Sequence, residues 1–391
     1  MPEQITVLQV IPRMQAGGAE LGCLQITQAL VDAGHCALVV SAGGQLVPAI
    51  LEAGGEHIEM PVTTKNPFGL LSNARKLAEL IRRHDVDIVH ARSRAPAWSA
   101  LLATRQTKTA FVTTYHSEYS ERGRLKNLYN SVMARSDMVI AVSDYMAHLI
   151  RTRYRAPESR IVIIHRAFDD TIFDPDRMSP ERMEAIRREL KISTDRPVFL
   201  LAGRITPRKA QHHLVDALGR LAAKGAPDWY CVFAGDVEKP GYRQELEDQA
   251  GRLGILDTLR FPGHVRDMAA AYAAADIAFN ISEQEGLPRV AIEAQAMGVP
   301  MIVSDTGPGR EVARTAPDVP PEAASGLRVP FAAPGQLSDA IDIMLALPAE
   351  ERRAMGARGA AYVRANFTLD QLKSKTLQVY RTVLERRRGN P

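Results

Sequence analysis

Cysteine is scarce: Cys23, Cys36 and Cys231 are the only three in 391 residues, widely separated and never in CxxC spacing. That excludes a disulfide scaffold and a thiolate zinc cluster, and leaves buried free thiols as the plain reading. Long apolar runs are missing as well. No window approaches the ~18 uncharged apolar residues of a spanning helix, and the start MPEQITVLQVIP has no basic stretch followed by an apolar one. Neither a secretion signal nor a membrane span is expected, and a reduced, cytoplasmic setting follows. Charge of one sign is absent too: 49 Lys plus Arg stand against 45 Asp plus Glu, a formal +4 that does not single out a nucleic-acid binder. There is no HExxH, and His212 and His213 are adjacent on a predicted helix, so they point apart. Asp85-Val86-Asp87 precedes its strand and Asp174-Pro175-Asp176 falls in a predicted linker, so neither is expected to hold a metal.

What is present is a chain with 46% hydrophobic residues, long enough for two cores. Short β-branched and apolar runs recur at Val7 to Ile11, Ala37 to Val40, Asp87 to His90, Ala110 to Thr114, Met138 to Val142 and Ile161 to Ile164. The rhythm restarts at Val198 to Ala202 and continues through Tyr230 to Ala234, Leu259 to Phe261, Ile277 to Asn280 and Met301 to Ser304. Helical segments such as Leu71 to Arg83, Gln211 to Lys224 and Arg289 to Met297 fill the spacers. Near-continuous apolar strands alternating with helices predict an α/β chain of doubly wound parallel sheets. Three prolines and a charged segment place a linker in Thr171 to Pro197, giving domains at 1–175 and 176–368. Leu369 to Arg388 reads as a last helix that either completes the second domain or braces the first. From Gln371 onward six cations face one acid, Glu385. This tail is either a solvated end or a contact for anionic headgroups at the inner membrane.

In an open parallel sheet, ligands bind beyond the carboxyl ends of the strands. Four places qualify. After the first strand, Gly17 and Gly18 open a helix whose amides suit a phosphate oxygen, although GxGxxG and its acidic ribose ligand are missing, which disfavours NAD. After Val198 to Ala202, Arg204 and Lys209 supply a guanidinium fork and a compact ammonium suited to a leaving diphosphate, with Arg208 facing solvent. After Ile277 to Asn280, Glu285 sits at the strand-to-helix turn beside Gly286 and Leu287, and Glu293 follows on an apolar helix face. Buried carboxylates want donors, which a sugar or ribose hydroxyl or a salt bridge supplies. His116 follows Ala110 to Thr114, placed to donate to a sugar hydroxyl or assist a proton transfer.

The run SEQEGLPRVAIEAQAMGVPMIVSD, with its glutamate pair, resembles the signature of the retaining glycosyltransferases of family 4. The GGAE turn, AGRITPRKA, FPGHV and IAVSDYM extend the likeness over nearly the whole chain. The resemblance implies the GT-B fold: two facing Rossmann-like domains with parallel sheets, a nucleotide sugar between them, and a final helix, 369–391, crossing back onto the first domain. It makes Gly18 an amide donor to the diphosphate, with Gly17 beside it, and Arg204 with Lys209 a charge clamp. Glu285 then binds the transferred sugar, alongside Gly286 and Leu287, and Glu293 the ribose. His264 and Val265 meet the base through backbone atoms, and His116 lies on the acceptor side. Ala210 stands where glycine is usual and is expected to do little damage. Asp236 would repel phosphate unless it points away.

The activity so implied is transfer of a sugar, with retention, from a UDP- or GDP-sugar to a hydroxyl of a saccharide or lipid-linked glycan, such as lipopolysaccharide or another envelope polysaccharide. No cofactor or metal is required, because Arg and Lys supply the positive field. Arg13, Arg92, Arg94 and Arg166 suggest an anionic acceptor. The alternatives are a nucleotide-sugar epimerase, which needs no acceptor, and a scaffold that binds donor without turnover.

Overall fold

The computed structural model describes residues 4–15, 17–119, 123–226 and 228–389. Ala16 of the glycine loop and the last two residues of the tail lie outside them. The chain forms two compact units, one running to Arg166 and resuming at Leu369, the other spanning Ala167–Thr368.

The first unit carries seven strands: β1 (Thr6–Val10), β2 (Cys36–Ser41), β3 (Glu56–Glu59), β4 (Ile88–Ala91), β5 (Ala110–Tyr115), β6 (Met138–Ala141) and β7 (Ile161–Ile163). All pair in parallel in the order β3-β2-β1-β4-β5-β6-β7, so the strand order reverses between β1 and β4. The second unit carries β8 (Val198–Ala202), β9 (Tyr230–Ala234), β10 (Leu259–Gly263), β11 (Ile277–Asn280), β12 (Met301–Ser304) and β13 (Gly326–Val329). Its order is β10-β9-β8-β11-β12-β13, again all parallel, with the reversal between β8 and β11. Strands such as β8, Val-Phe-Leu-Leu-Ala, are buried on both faces, which is why they read as unbroken apolar runs rather than alternating ones.

The predicted linker is corrected. Thr171 to Pro197 lies inside the second unit: its helix, Pro180–Leu190, buries Ile186 and Leu190. Arg182 grips Asp267 of the same unit through both carboxylate oxygens, at 2.5 and 2.7 Å. The break between units falls instead at Arg166, before the prolines.

Helix Leu369–Arg388 belongs to the first unit. Val379, Tyr380 and Val383 enter the cluster that holds Ile26, Leu30 and Ile140. At its end, Arg387 pairs with Asp137 at 2.8 Å and Arg386 donates to the Ser159 carbonyl at 2.9 Å; Lys373 lies 3.5 Å from Asp32. At least three of the six tail cations are thus engaged in seating the helix.

Candidate active site

The reversal between β8 and β11 opens a crevice at their carboxyl ends, and the two loops leaving those strands meet there. The Glu283 amide donates to the Arg208 carbonyl at 3.1 Å. Lys209 Nζ donates to Glu285 Oε1, with both side chains about four-fifths buried. The ammonium lies back over Gly203: a Cβ there would stand 3.7 Å from Nζ. Gly203 has φ +135 and Gly235 φ +155, backbone that L side chains rarely adopt, and a Cβ on Gly235 would collide with the Gly203 carbonyl. The loops after β8 and β9 therefore stack backbone on backbone, tied by Gly203 N to Ala234 O and Ile205 N to Asp236 O, both at 2.8 Å. Gly235→Ala is expected to cost about 1–3 kcal/mol through this clash, read as a lowered denaturation midpoint of the second unit with donor affinity reduced alongside.

Arg204 does not join Lys209. Its guanidinium is 63% exposed and pairs with Glu238 at 2.8 Å. Arg208 is exposed, as expected. Glu293 accepts from Arg289, one turn earlier on helix Arg289–Ala296, at 3.0 Å, so a salt bridge within its own helix is present. Leu287 and Val265 are buried, whereas the His264 ring is exposed, 4.0 Å from an equally exposed Asp236 carboxylate. The expectation for Ala210 is corrected. It adopts φ 58, ψ 28, left-handed rather than helical, between the turn Pro207–Lys209 and helix Gln211–Ala223. That conformation costs a non-glycine residue about 1–2 kcal/mol, and burial of its methyl offsets ~0.8 kcal/mol of it.

In the first unit, Gly17 precedes helix Gly18–Asp32 in extended conformation. A residue the sequence reading did not weigh as part of this site, Glu20, folds back so that its carboxylate lies against Gly17. The helix start thus already faces one carboxylate. Its place in the first turn was the available signal, since acids are stabilised there. Arg92 is withdrawn from the expected acceptor side: it is buried and donates twice to Gln9 Oε1. Arg94 rests on neutral partners, Asn130 Oδ1 at 2.6 Å and the Tyr119 ring at 3.9 Å. Arg166 donates to the His116 carbonyl at 2.9 Å. Asp87 accepts from the Thr6 amide and Asp174 caps the turn Pro175–Arg177, so each acidic pair has a local role.

Two histidines share a property. His90 is fully buried, bonded to Tyr380 Oη and Thr114 Oγ1, each at 2.7 Å, and burial, then Arg92 and His116, hold its pKa well below the ordinary value. His116 has both ring nitrogens shielded and unpartnered among the described residues; burial, then Arg166 and Arg92, lower it likewise. Both are neutral in the folded chain near neutral pH. Unfolded, they take up protons near pH ~6.5, so stability is present above that value and lost as pH falls below it, by up to about 2.7 kcal/mol per pH unit for the two together. Denaturant unfolding of the first unit between pH ~7 and ~5 reads this directly; flat stability over that range contradicts it.

The two sheets, each with the order of a doubly wound nucleotide-binding domain, define a pair of Rossmann-like units of the GT-B class. A family model described as Glycosyltransferase Family 4 matches residues 16–171, and one described as Glycosyl transferases group 1 matches residues 182–362. A crystal structure of a glycosyltransferase from Rickettsia africae ESF-5 is 31% identical, with 97% of this chain and 99% of that one covered, at a TM-score of 0.85. The chain belongs to the family 4 glycosyltransferases. The D-inositol 3-phosphate glycosyltransferase of Geodermatophilus obscurus is 33% identical over 245 residues, which is 58% of this chain and only half of that protein. That of Stackebrandtia nassauensis is 26% identical over 96% of this chain and 89% of its own length. Anabaena Alr3699/HepE, solved with UDP-glucose, shares the fold at a TM-score of 0.82 and 20% identity, covering 97% of this chain and all of that one. Among the described residues no helix is long and apolar enough to cross a membrane.

Proposed function

We propose that the protein transfers a sugar, with retention at the anomeric carbon, from a nucleoside diphosphate to a hydroxyl of a saccharide or lipid-linked glycan. The observation carrying this reading is the Lys209–Glu285 pair at the β8/β11 reversal. An ammonium held there by one carboxylate can turn to a diphosphate and oppose the charge that grows as it departs, while the carboxylate so released accepts from hydroxyls of the sugar. A departing phosphate oxygen takes the acceptor proton as the new glycosidic bond forms on the same face, so no side chain acts as a strong base. Arg204, released from Glu238, adds a second cation; Glu293 and the backbone at His264 and Val265 hold the nucleoside.

The acceptor falls to the first unit, with neutral His116 as hydrogen-bond partner and Arg94 and Arg166 favouring an anionic group on it. Family membership favours transfer over epimerisation or a silent scaffold. A mass-resolved assay of UDP-, GDP- and ADP-sugars against glycan extract tests the reading: a product heavier by one sugar is expected, and donor epimerised or bound without transfer overturns it. For the acceptor, phosphorylated and neutral forms of one sugar are compared. A preference of about tenfold or more for the anion, ~1.4 kcal/mol, that shrinks in Arg94→Ala is expected; equal rates refute it.

A further inference from the structure

Among the large apolar side chains left in solvent, four stand out. Phe68 is 82% exposed, Leu71 50%, Leu125 84% and Leu128 53%, and Phe68 and Leu125 are the two most exposed large hydrophobics described. Phe68 and Leu71 lie three apart on helix Pro67–Arg83; Leu125 and Leu128 lie three apart on helix Arg124–Asn130, so each pair shares a face. Both helices flank the start of a third, Arg94–Thr107. Ser99 Oγ donates to the Leu70 carbonyl at 3.1 Å, and Trp98 Nε1 donates to the Tyr129 carbonyl at 3.1 Å while its ring stacks on Tyr129. Consecutive residues of the third helix thus bring the two apolar pairs to one region of the first unit.

The charge close around them is mostly positive, with the exposed Glu79, one turn beyond Arg75 on the same helix, as an exception. Residues 61–76 and 123–136 contain Lys65, Arg75, Lys76, Arg124, Lys126 and Arg135 and not one carboxylate. None of the six makes an ion pair among the described residues; Arg135 sits over the Trp98 ring at 5.4 Å. The basic carboxyl-terminal tail contrasts with this, since three of its cations are engaged in seating their own helix.

We infer that this face of the first unit, Phe68, Leu71, Leu125 and Leu128 ringed by unpaired cations, docks on the surface of an anionic phospholipid bilayer. Protruding apolar tips among like charges match an interface in which side chains enter the acyl boundary and cations meet phosphates. A protein interface shares the apolar centre and polar rim, so the mostly cationic rim, complementary to anionic headgroups, is what selects the bilayer. Two copies meeting on this face about a twofold axis would also set the same cations against each other. The inference stands apart from the transferase reading, for which any water-soluble acceptor suffices.

The test is flotation of the full chain with vesicles of phosphatidylcholine, with and without phosphatidylglycerol. Binding to the anionic vesicles is expected, weakening with salt. Phe68→Ser with Leu125→Ser is expected to reduce it about tenfold or more, and Lys65→Ser with Lys126→Ser about as much, at roughly a factor of five per lost cation near the surface. All four positions are at least partly exposed and lie outside the proposed catalytic groups, so an unchanged thermal midpoint and unchanged turnover of a soluble acceptor verify folding. Failure to bind anionic vesicles, or binding that survives both double variants, overturns the inference. So does a concentration-dependent dimer that Leu125→Ser dissolves, which would make the face a contact between copies.

Discussion

Replacing Lys209 by alanine is expected to lower kcat for sugar transfer about a hundred- to a thousandfold, or ~3–4 kcal/mol of transition-state stabilisation. The ammonium is held at the carboxyl ends of β8 and β11 by Glu285 and packs over Gly203. It is therefore held beside the crevice before any diphosphate arrives and has only to turn from Glu285 to the phosphate oxygen, a small reorganisation as that oxygen becomes fully anionic. Because the pair is about four-fifths buried, deleting one partner leaves the other charge uncompensated and destabilises the second unit by up to about 3–5 kcal/mol, so kcat is read per folded enzyme, with the denaturation midpoint measured alongside. Glu285→Gln keeps the shape, removes the charge and frees Lys209 from its anchor. If the two act as one unit, K209A with E285Q is far less damaging than the product of the single effects. Arg204→Ala is expected to be milder, because that guanidinium is mostly in solvent and pairs with Glu238. Full kcat in K209A, with only acceptor KM altered, removes Lys209 from the chemistry.

The parts of this picture legible in the sequence are those where one physical signal dominates. Eleven strands announce themselves as apolar runs, which in the interior strands follow from burial on both faces; the edge strands β7 and β10 are only partly buried. The remaining two strands show no such run: β3 is an edge strand, Glu-His-Ile-Glu, with both glutamates in solvent, and β13 is four residues long, with Arg328 drawn to Asp305 and Asp318. The crevice rule brought Lys209 and Glu285, 76 residues apart, to the same place, since strand order fixes which loops are neighbours. Partner choice was not legible. Whether Arg204 reaches for Lys209's neighbourhood or for Glu238, and whether Glu293 meets Arg289, depends on rotamers that spacing leaves open. Arg92 shows the limit most clearly: its strand-end position suggested a cleft, but Gln9 on the adjacent strand offers an acceptor inside the sheet layer. Local propensity also failed at Ala210, an alanine before a helix that the tight turn from Lys209 forces into left-handed geometry.

Tyr380→Ala is expected to destabilise the first unit by about 3–5 kcal/mol, the range for truncating a large buried side chain. Tyr380 is fully buried, and its ring meets His90 edge-on with centroids 5.8 Å apart. Two losses combine: the packing of helix Leu369–Arg388 against the sheet, and the partner of His90 Nδ1. Tyr380→Phe separates them, since it keeps the ring and orphans the imidazole, at about 1–3 kcal/mol. The chain leaves this unit at Arg166 and returns at Leu369, so the helix holding Tyr380 is contributed by a segment more than 200 residues downstream of the strands it covers. Loosening it exposes the cluster of Ile26, Leu30 and Ile140 while leaving the core of the second unit intact. Unfolding of Tyr380→Ala is therefore expected to split, with the first unit melting early and the Lys209–Glu285 unit near its original midpoint. Hydrogen exchange resolved by segment reads the difference, and equal loss of protection on both sheets contradicts the assignment of this helix to the first unit's stability.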